Sequence, residues 1–285
     1  MEIRQNPSSI EKSRVKRQFN SAAGTYEAFD FLQQEVLNRL FDRLQDILVS
    51  PRLIIDLGSG TGRAGELLEK SFKKSEIINL DIAEDMLIQA RAKKKLRVFR
   101  RQKFLCGDIE AIPLKSNIAD LAHSNLAVQW CPNLRLAFSA VKDVLKPGAL
   151  FIFSTLGPDT LRELRNVFST YSDMPHVNTF LDMHDVGNIL SSSGFSDPVI
   201  ESEEITVNYD SAAGLLRDLK GIGASNADSE RRKSLTGPAR MRKILKEYEK
   251  YRCNGKIPAT YEVILGHAWA VTSEGKNEHT LRRLK

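Results

Sequence analysis

The stretch Leu53-Ile54-Ile55-Asp56-Leu57-Gly58-Ser59-Gly60-Thr61-Gly62 constrains this chain more than any other. Its first five residues are mostly apolar and rich in β-branched side chains, which reads as a buried strand. Three glycines follow, and residues 63–72 then read as a helix with Leu67, Leu68 and Phe72 on one side. A strand, a tight glycine turn and the amino end of a helix are expected to set backbone N–H groups and a positive dipole end beside a bound ligand. Gly58 and Gly60 let the backbone turn sharply and approach that ligand with no Cβ in the way. The spacing is not that of the dinucleotide fingerprint GxGxxG. Arg63-Ala64 stands where a phosphate loop needs Lys followed by Ser or Thr.

Around this stretch the chain has a regular rhythm. Residues 15–26 and 29–48 read as amino-terminal helices, the second carrying an apolar stripe of Leu37, Leu40, Phe41, Leu44, Ile47 and Leu48. Pro51 ends it. Strands then read over 76–82, 104–108, 118–124 and 148–155, with helices over 83–92 and 134–145. Such alternation predicts an α/β fold, a Rossmann-like parallel sheet with helices on both faces. Its ligand is expected beyond the carboxyl ends of the strands.

After Thr155 the rhythm changes. Pro158-Asp159-Thr160 opens a helix through about residue 171, with Asp159 as its cap. A helix over 182–191 is closed by Gly194, and a strand follows over 199–209. Helices over 211–220 and 237–251 precede a last apolar, strand-like run over 260–272. The expected organisation is amino-terminal helices over 1–50, a core over 51–209 and 259–273, a helical lid inserted at 210–258, and a polar tail over 274–285.

With 285 residues and 41% apolar content, the chain can bury a substantial core. No apolar run approaches the roughly 18 residues of a membrane span. Its start is polar and basic, with no apolar segment of a signal peptide. Cys106, Cys131 and Cys253 show no CxxC or Cys/His spacing, which points to a reducing compartment and no structural metal. The expectation is a cytoplasmic globular protein without membrane association. Net charge is +6 and uneven: residues 91–103 hold eight basic residues and no acidic one, and residues 231–256 hold ten against Glu247 and Glu249. These runs are either solvated helix faces or a surface for an acidic partner, a nucleic acid or an acidic carrier protein. Few aromatics interleave them, which disfavours stacking on single-stranded nucleic acid.

Three successive strands carry a carboxylate at or near their carboxyl ends. Asp81 stands about 20 residues after the glycine turn, where a carboxylate can accept both ribose hydroxyl protons and disfavours a 2′-phosphate. Its other reading is a cap for the helix that follows. Asp108 can accept from an adenine amino group with Ile109 against the ring, or face water as a loop carboxylate. Asp56 can fix the turn or hold a ligand ammonium through water. Ile82 and Met86 complete the candidate cofactor set, Met86 being equally a core residue. With Gly58 and Gly60, this order looks like the nucleoside-binding turn of class I S-adenosylmethionine-dependent methyltransferases. That resemblance implies S-adenosylmethionine as cofactor and S-adenosylhomocysteine as product.

A further string follows the fourth strand, Asn125-Leu126-Ala127-Val128-Gln129-Trp130-Cys131. With Phe19-Asn20-Ser21-Ala22-Ala23 and Tyr26, it resembles the BioC family, the malonyl-acyl-carrier-protein O-methyltransferases of bacterial biotin synthesis. Similarity continues in Thr155-Leu156-Gly157-Pro158-Asp159-Thr160-Leu161, in Leu219-Lys220-Gly221-Ile222-Gly223-Ala224 and in Thr260-Tyr261, so it spans almost the whole chain. Ser59 stands where many relatives carry cysteine. The resemblance implies methyl transfer to the free carboxylate of a malonyl thioester on acyl carrier protein. It places Tyr26 over the cofactor, Asn125 on the methionine part, and Tyr26, Gln129 and Trp130 on the substrate side.

Lys220, Arg14, Lys16 and Arg17 are the candidate cations for the substrate carboxylate. That carboxylate is ionised at neutral pH, carboxyl groups titrating near pH ~4, so no general base is required. His123 reads as a packed histidine. Arg240, Arg242, Lys243 and Lys246 on the lid are expected to dock the acidic carrier, with the 91–103 run on the opposite side of the sheet. Two other activities share part of the pattern. A complex I assembly hydroxylase shares the glycine turn and a string like Gly223-Ala224-Ser225-Asn226, and a nucleic-acid methyltransferase is suggested by the net charge. A non-catalytic scaffold with this fold is disfavoured by the intact Asp56, Gly58, Gly60, Asp81 and Asp108.

Overall fold

The computed structural model describes residues 10–93, 101–171, 177–224, 226–229 and 237–271. Among these, seven strands form one sheet: β1 (Leu53–Leu57), β2 (Glu76–Asp81), β3 (Gln102–Cys106), β4 (Ala119–Ser124), β5 (Leu145–Leu156), β6 (Phe195–Tyr209) and β7 (Ile257–Ala270), in the order β3-β2-β1-β4-β5-β7-β6. The first five are mutually parallel, and β7 runs antiparallel to both neighbours. The chain moves outward from β1 in one direction through β2 and β3, then crosses back to β4. The crevice at that switch, above β1 and β4, is where a parallel sheet binds ligands.

The sheet is covered on both faces because its strands are apolar at nearly every position and divide alternately. Ile54, Ile77, Leu121, Leu150 and Ile152 join one buried cluster, while Ile55, Ile78, Ala122, Phe151 and Phe153 join the other. The first face is covered by α2 (Phe31–Gln45), α3 (Arg63–Ser71) and α6 (Arg162–Ser169), through Leu40, Phe41, Leu68 and Phe168. The second is covered by α5 (Leu134–Val144) and α7 (Met183–Ser192), where Phe138, Phe151, Phe153 and Phe195 pack together and Phe151 stacks on Phe153 at 4.9 Å. The stripe read on the second helix therefore docks on the sheet itself, although Leu48 is exposed.

Helix α4 (Glu84–Ala92) packs on β2 and β3 and against α1 (Lys12–Ala22), and α8 (Ala212–Gly221) and α9 (Pro238–Tyr248) lie in the segment between β6 and β7. Since β6 is antiparallel to β7 and β7 to β5, β6 ends at the same edge as β1–β5. The segment joining β6 to β7 must emerge there. Residues 257–262 of β7 also continue past Leu156, which pairs with Val263. At about 3.3 Å per residue this raises a wall of roughly 20 Å above the sheet edge. Helices α8 and α9 rest on it, α9 through the buried Ile244 and Tyr248.

Two expectations need correction. The helix expected from Asp159 begins at Arg162, and Asp159 does not cap it. Instead Gly157 and Leu161 donate their N–H groups to the carbonyls of Glu262 and Thr260 at 2.9 and 2.6 Å, and Asp159 N–H donates to Glu262 Oε2 at 2.8 Å. The segment is claimed by the raised part of β7 before it can coil. The second concerns residues 91–103. Arg101 and Lys103 do flank the amino ends of β2 and β3, but Lys93 donates to Thr61 O at 3.0 Å and pairs with Glu27 beside the glycine turn. Residues 94–100, the polar tail at 274–285 and residues 230–236 of the basic lid run lie outside the described residues.

Leu40 is wholly buried between α2 and the sheet. Leu40→Ala should lower unfolding free energy by about 2–5 kcal/mol. Urea denaturation is expected to show one shifted transition, since α2 shares its core with β1, β4 and β5; a separate early transition for the amino-terminal helices would contradict this.

Candidate active site

The glycine turn is held by the end of β2. Gly58 and Ser59 both donate N–H to Leu80 O, at 2.8 and 3.0 Å, and Gly60 N–H donates to Asp81 Oδ2 at 2.8 Å. Asp81 Oδ1 accepts from Ala83 N–H at 2.8 Å. The N–H groups of Gly58, Ser59 and Gly60 are therefore spent inside the turn. What the glycines provide is approach: Gly58, at φ +68°, would place a Cβ 2.2 Å from that of Ala127, while an added Cβ at Gly60, at φ +53°, would meet nothing within 4 Å. Gly58 fits against the β4 loop, and Gly60 faces open space.

That space is a cleft above β1, β2 and β4. Gly58, Gly60, Asp81, Ile82, Met86, Asp108, Ile109, Asn125 and Tyr26 all line it, together with Trp130. Asp81 both holds the turn and closes the wall, with two N–H donors already on its carboxylate. Burial outweighs those donors and raises its pKa to about 6, the Asp56 charge adding to the effect. Asp108 does not simply face water: Oδ1 accepts from Glu110 N–H at 2.9 Å, and Oδ2 accepts from the Lys12 ammonium. Lys12 also pairs with Glu110. Burial opposes its charge, but both carboxylates hold its pKa above the ordinary lysine value.

Asp56 lies beneath the cleft, not in it. It is buried and bonds His123 Nδ1 at 2.8 Å, and His123 is fully buried with its ring tilted against Phe41. Its other oxygen, Oδ2, is buried with no hydrogen-bond partner among the described residues. The expected pairing of Asn125 with the cleft rests on a polar chain. Ser154 Oγ accepts from Leu126 N–H at 2.9 Å and donates to Asn125 Oδ1 at 2.8 Å; Asn125 Nδ2 donates to Gln33 O at 3.0 Å. Leu126 is left-handed, at φ +47°, a conformation that a non-glycine residue keeps only when its surroundings hold it there.

Beyond Tyr26 and Trp130 the cleft adjoins a second chamber, since Phe19, Tyr26, Leu126 and Trp130 line both. Gln129 and Lys220 line this chamber, whose other walls are largely Leu32, Leu164, Phe168, Leu219 and Ile222. Two potential proton acceptors on the cleft, Tyr26 and Cys131, stay protonated. Burial, then Asp30 and Asp81, push up the Tyr26 hydroxyl, and burial, then Glu110, pushes up the Cys131 thiol. Of the other candidate cations, Arg14 Nε donates to Asn226 O at 3.1 Å, and Lys16 and Arg17 are exposed on α1. Arg242, Lys243 and Lys246 are exposed on α9 and Arg240 is half-buried there; Lys243 and Lys246 flank a shallow groove with Tyr171, apart from both cavities.

Several lining residues had no assigned role in the sequence. Lys12, Val15 and Phe19 recur at helical spacing, so the inner face of α1 was recoverable from its periodicity. Gln33 and Tyr261 were not, because they enter the chamber from opposite ends of the chain.

Ser154 is buried on β5 and satisfies two groups at once. Ser154→Ala would strand Leu126 N–H and Asn125 Oδ1, at a cost of about 1–3 kcal/mol in urea denaturation. An unchanged midpoint would show that the chain reorganises without it.

A model of the methyltransferase domain matches residues 55–153, the span from β1 to β5. Among solved structures, a putative methyltransferase from Bacillus halodurans superposes with a TM-score of 0.60 at 16% identity, covering 83% of this chain and 99% of that one. The whole-chain likeness is closer. The malonyl-acyl-carrier-protein O-methyltransferase of Methylovorus sp. is 45% identical over 266 residues, covering 91% of this chain and 89% of the relative. That of Gallionella capsiferriformans is 44% identical over 264 residues, covering 91% of each. Such identity covers about nine-tenths of the chain, well beyond the span that the domain model matches. This chain belongs to the malonyl-acyl-carrier-protein O-methyltransferase family.

Proposed function

We propose that the chain transfers a methyl group from S-adenosylmethionine to the free carboxylate of malonyl-acyl carrier protein, giving the methyl ester that primes pimeloyl synthesis for biotin in the cytoplasm. The observation that carries this reading is the junction of the glycine-turn cleft with an apolar chamber at Tyr26 and Trp130. Family membership supplies the substrate class and favours it over the hydroxylase and nucleic-acid readings.

The cleft suits the nucleoside. Gly60 opens the floor, Asp81 offers its remaining lone pairs to two ribose hydroxyls, and Ile82, Met86 and Ile109 form an apolar slot for the base with Asp108 at its edge. Asn125, held by Ser154, orients the amino-acid end, and Tyr26 covers it. Bound there, S-adenosylmethionine would supply an electrophilic methyl group on a sulfonium. The protein's work is then to align and dehydrate. Gln129 and Trp130 hold the acyl end against the junction, and Lys220 attracts the carboxylate. No proton needs to move, which agrees with a Tyr26 and a Cys131 that stay neutral. An ionised oxygen and a sulfonium both lose charge as the methyl passes, so an apolar, water-poor junction favours the transition state.

Ribose hydroxyls donate to an ionised Asp81, so protonation competes with binding. Because its pKa is raised to about 6, affinity is fully present above that pH and is lost as pH falls through it. Calorimetry with S-adenosylhomocysteine should show affinity falling toward about tenfold per pH unit below that point. Asp81→Asn should bind more weakly and lose this limb; a wild-type affinity level down to pH 5 would exclude the role.

The substrate is tested by incubating the protein with S-adenosylmethionine and malonyl-acyl carrier protein, and reading the carrier by intact mass. A gain of one methyl group is expected, and none would overturn the reading. Arg240, Arg242, Lys243 and Lys246 are proposed to steer the acidic carrier, α9 lying against the chamber-lining helices α6 and α8. Reversing all four to Glu should lower kcat/KM for the carrier by about tenfold or more, and far less for malonyl-coenzyme A. Equal losses on both substrates would assign docking elsewhere.

A further inference from the structure

Among the described residues lining the cofactor cleft, Lys12 is the one lysine or arginine. It is the first residue of α1, so the amino-terminal helix carries a cation into the cleft beside Asp108. Its ammonium donates to Asp108 Oδ2 and pairs with Glu110 Oε2. Both carboxylates are fixed in turn: Asp108 Oδ1 accepts from Glu110 N–H at 2.9 Å, and Glu110 Oε1 accepts from Asn133 N–H at 2.6 Å. An ammonium carries three N–H donors and no acceptor, and these two carboxylates take two of them. The side chain keeps 26% of its surface exposed, so it retains room to meet a ligand in the cleft it lines.

The rest of the base slot grips without reading. Ile82, Met86 and Ile109 can press on a ring, but apolar contacts do not distinguish a ring nitrogen from a C–H. Asp108 and Lys12 do carry that information, because they set an acceptor and a donor side by side. Adenine presents the complement, an amino donor flanked by the ring acceptors N1 and N7. We infer that Lys12 reads the base of the cofactor, donating to the ring nitrogen beside the amino group that Asp108 accepts. A 6-oxo purine would turn its carbonyl toward the Asp108 carboxylate and lose that match. Base recognition thus includes α1, the same helix whose Phe19 lines both the cleft and the acyl chamber. The inference rests on an adenosyl cofactor and is independent of which acyl group is methylated.

The test is calorimetric binding of S-adenosylhomocysteine and its 1-deaza and 7-deaza analogues, in which a C–H replaces one ring acceptor and the shape is kept. Wild-type protein should bind one of the two about tenfold more weakly than the parent. Lys12→Met, which has no donor, should bind the parent about tenfold more weakly and hold that analogue within about twofold of it. Lys12→Gln, which keeps a polar neighbour for Asp108 but is shorter and uncharged, should show the same loss of discrimination and serves if the methionine variant does not fold. Wild-type protein that binds the parent and both analogues alike would overturn the inference. So would a variant that weakens all three ligands by one factor, since Lys12 would then only clasp α1 to the chain after β3. A variant that keeps the wild-type discrimination would assign the contact to another donor. Binding is read without acyl substrate, so a failure to methylate malonyl thioesters would leave this result standing. If wild-type protein binds no S-adenosylhomocysteine, the cofactor reading falls, and the role of Lys12 with it.

Discussion

The site depends on the carboxylate of Asp81. One oxygen takes Gly60 N–H and the other takes Ala83 N–H, so a single side chain joins the glycine turn to the start of α4. With Leu80 O holding Gly58 and Ser59, the end of β2 sets the path of the turn after β1. Two parallel strands thereby define the cleft floor before any ligand arrives. Its cost is a buried carboxylate whose charge is only just maintained near neutral pH.

Helix α1 closes the cleft by bridging parts of the chain that never meet in sequence. Lys12 reaches Asp108 and Glu110 after β3, Asn20 accepts from Asp85 N–H at the start of α4, and Glu11 N–H donates to Ala227 O beyond the lid helix α8. Ile10 and Val15 pack with Ala227, and Phe19 meets Trp130 edge to face at 5.4 Å. Helix α1 and the segment between β6 and β7 thus meet directly.

The charge distribution is divided in the same way. Lys93 beside Thr61 and Lys12 beside Asp108 are committed to local carboxylates, whereas Arg242, Lys243 and Lys246 stand exposed on α9. Sequence runs of like charge do not distinguish these cases. A lysine becomes structural when the fold brings it a carboxylate, and only three-dimensional neighbours decide that.

The alternating strands and helices, the glycine turn and the order of Asp81 and Asp108 were legible in the sequence because each follows from local periodicity or from spacing along one strand-turn-helix unit. The stripe on α2 was legible too, though not that it would share a core with β1, β4 and β5. What tertiary structure decided involves partners distant along the chain. Glu262 and Thr260 took the N–H groups of residues 157–161 and delayed α6 to Arg162. His123 drew Asp56 beneath the cleft. Ser154 held Leu126 left-handed, and Gln33 and Tyr261 came to the same chamber from α2 and β7. Local pattern specifies which face of an element is buried; a hydrogen bond between strands a hundred residues apart leaves no periodic trace, and forms only once the sheet has brought its ends together.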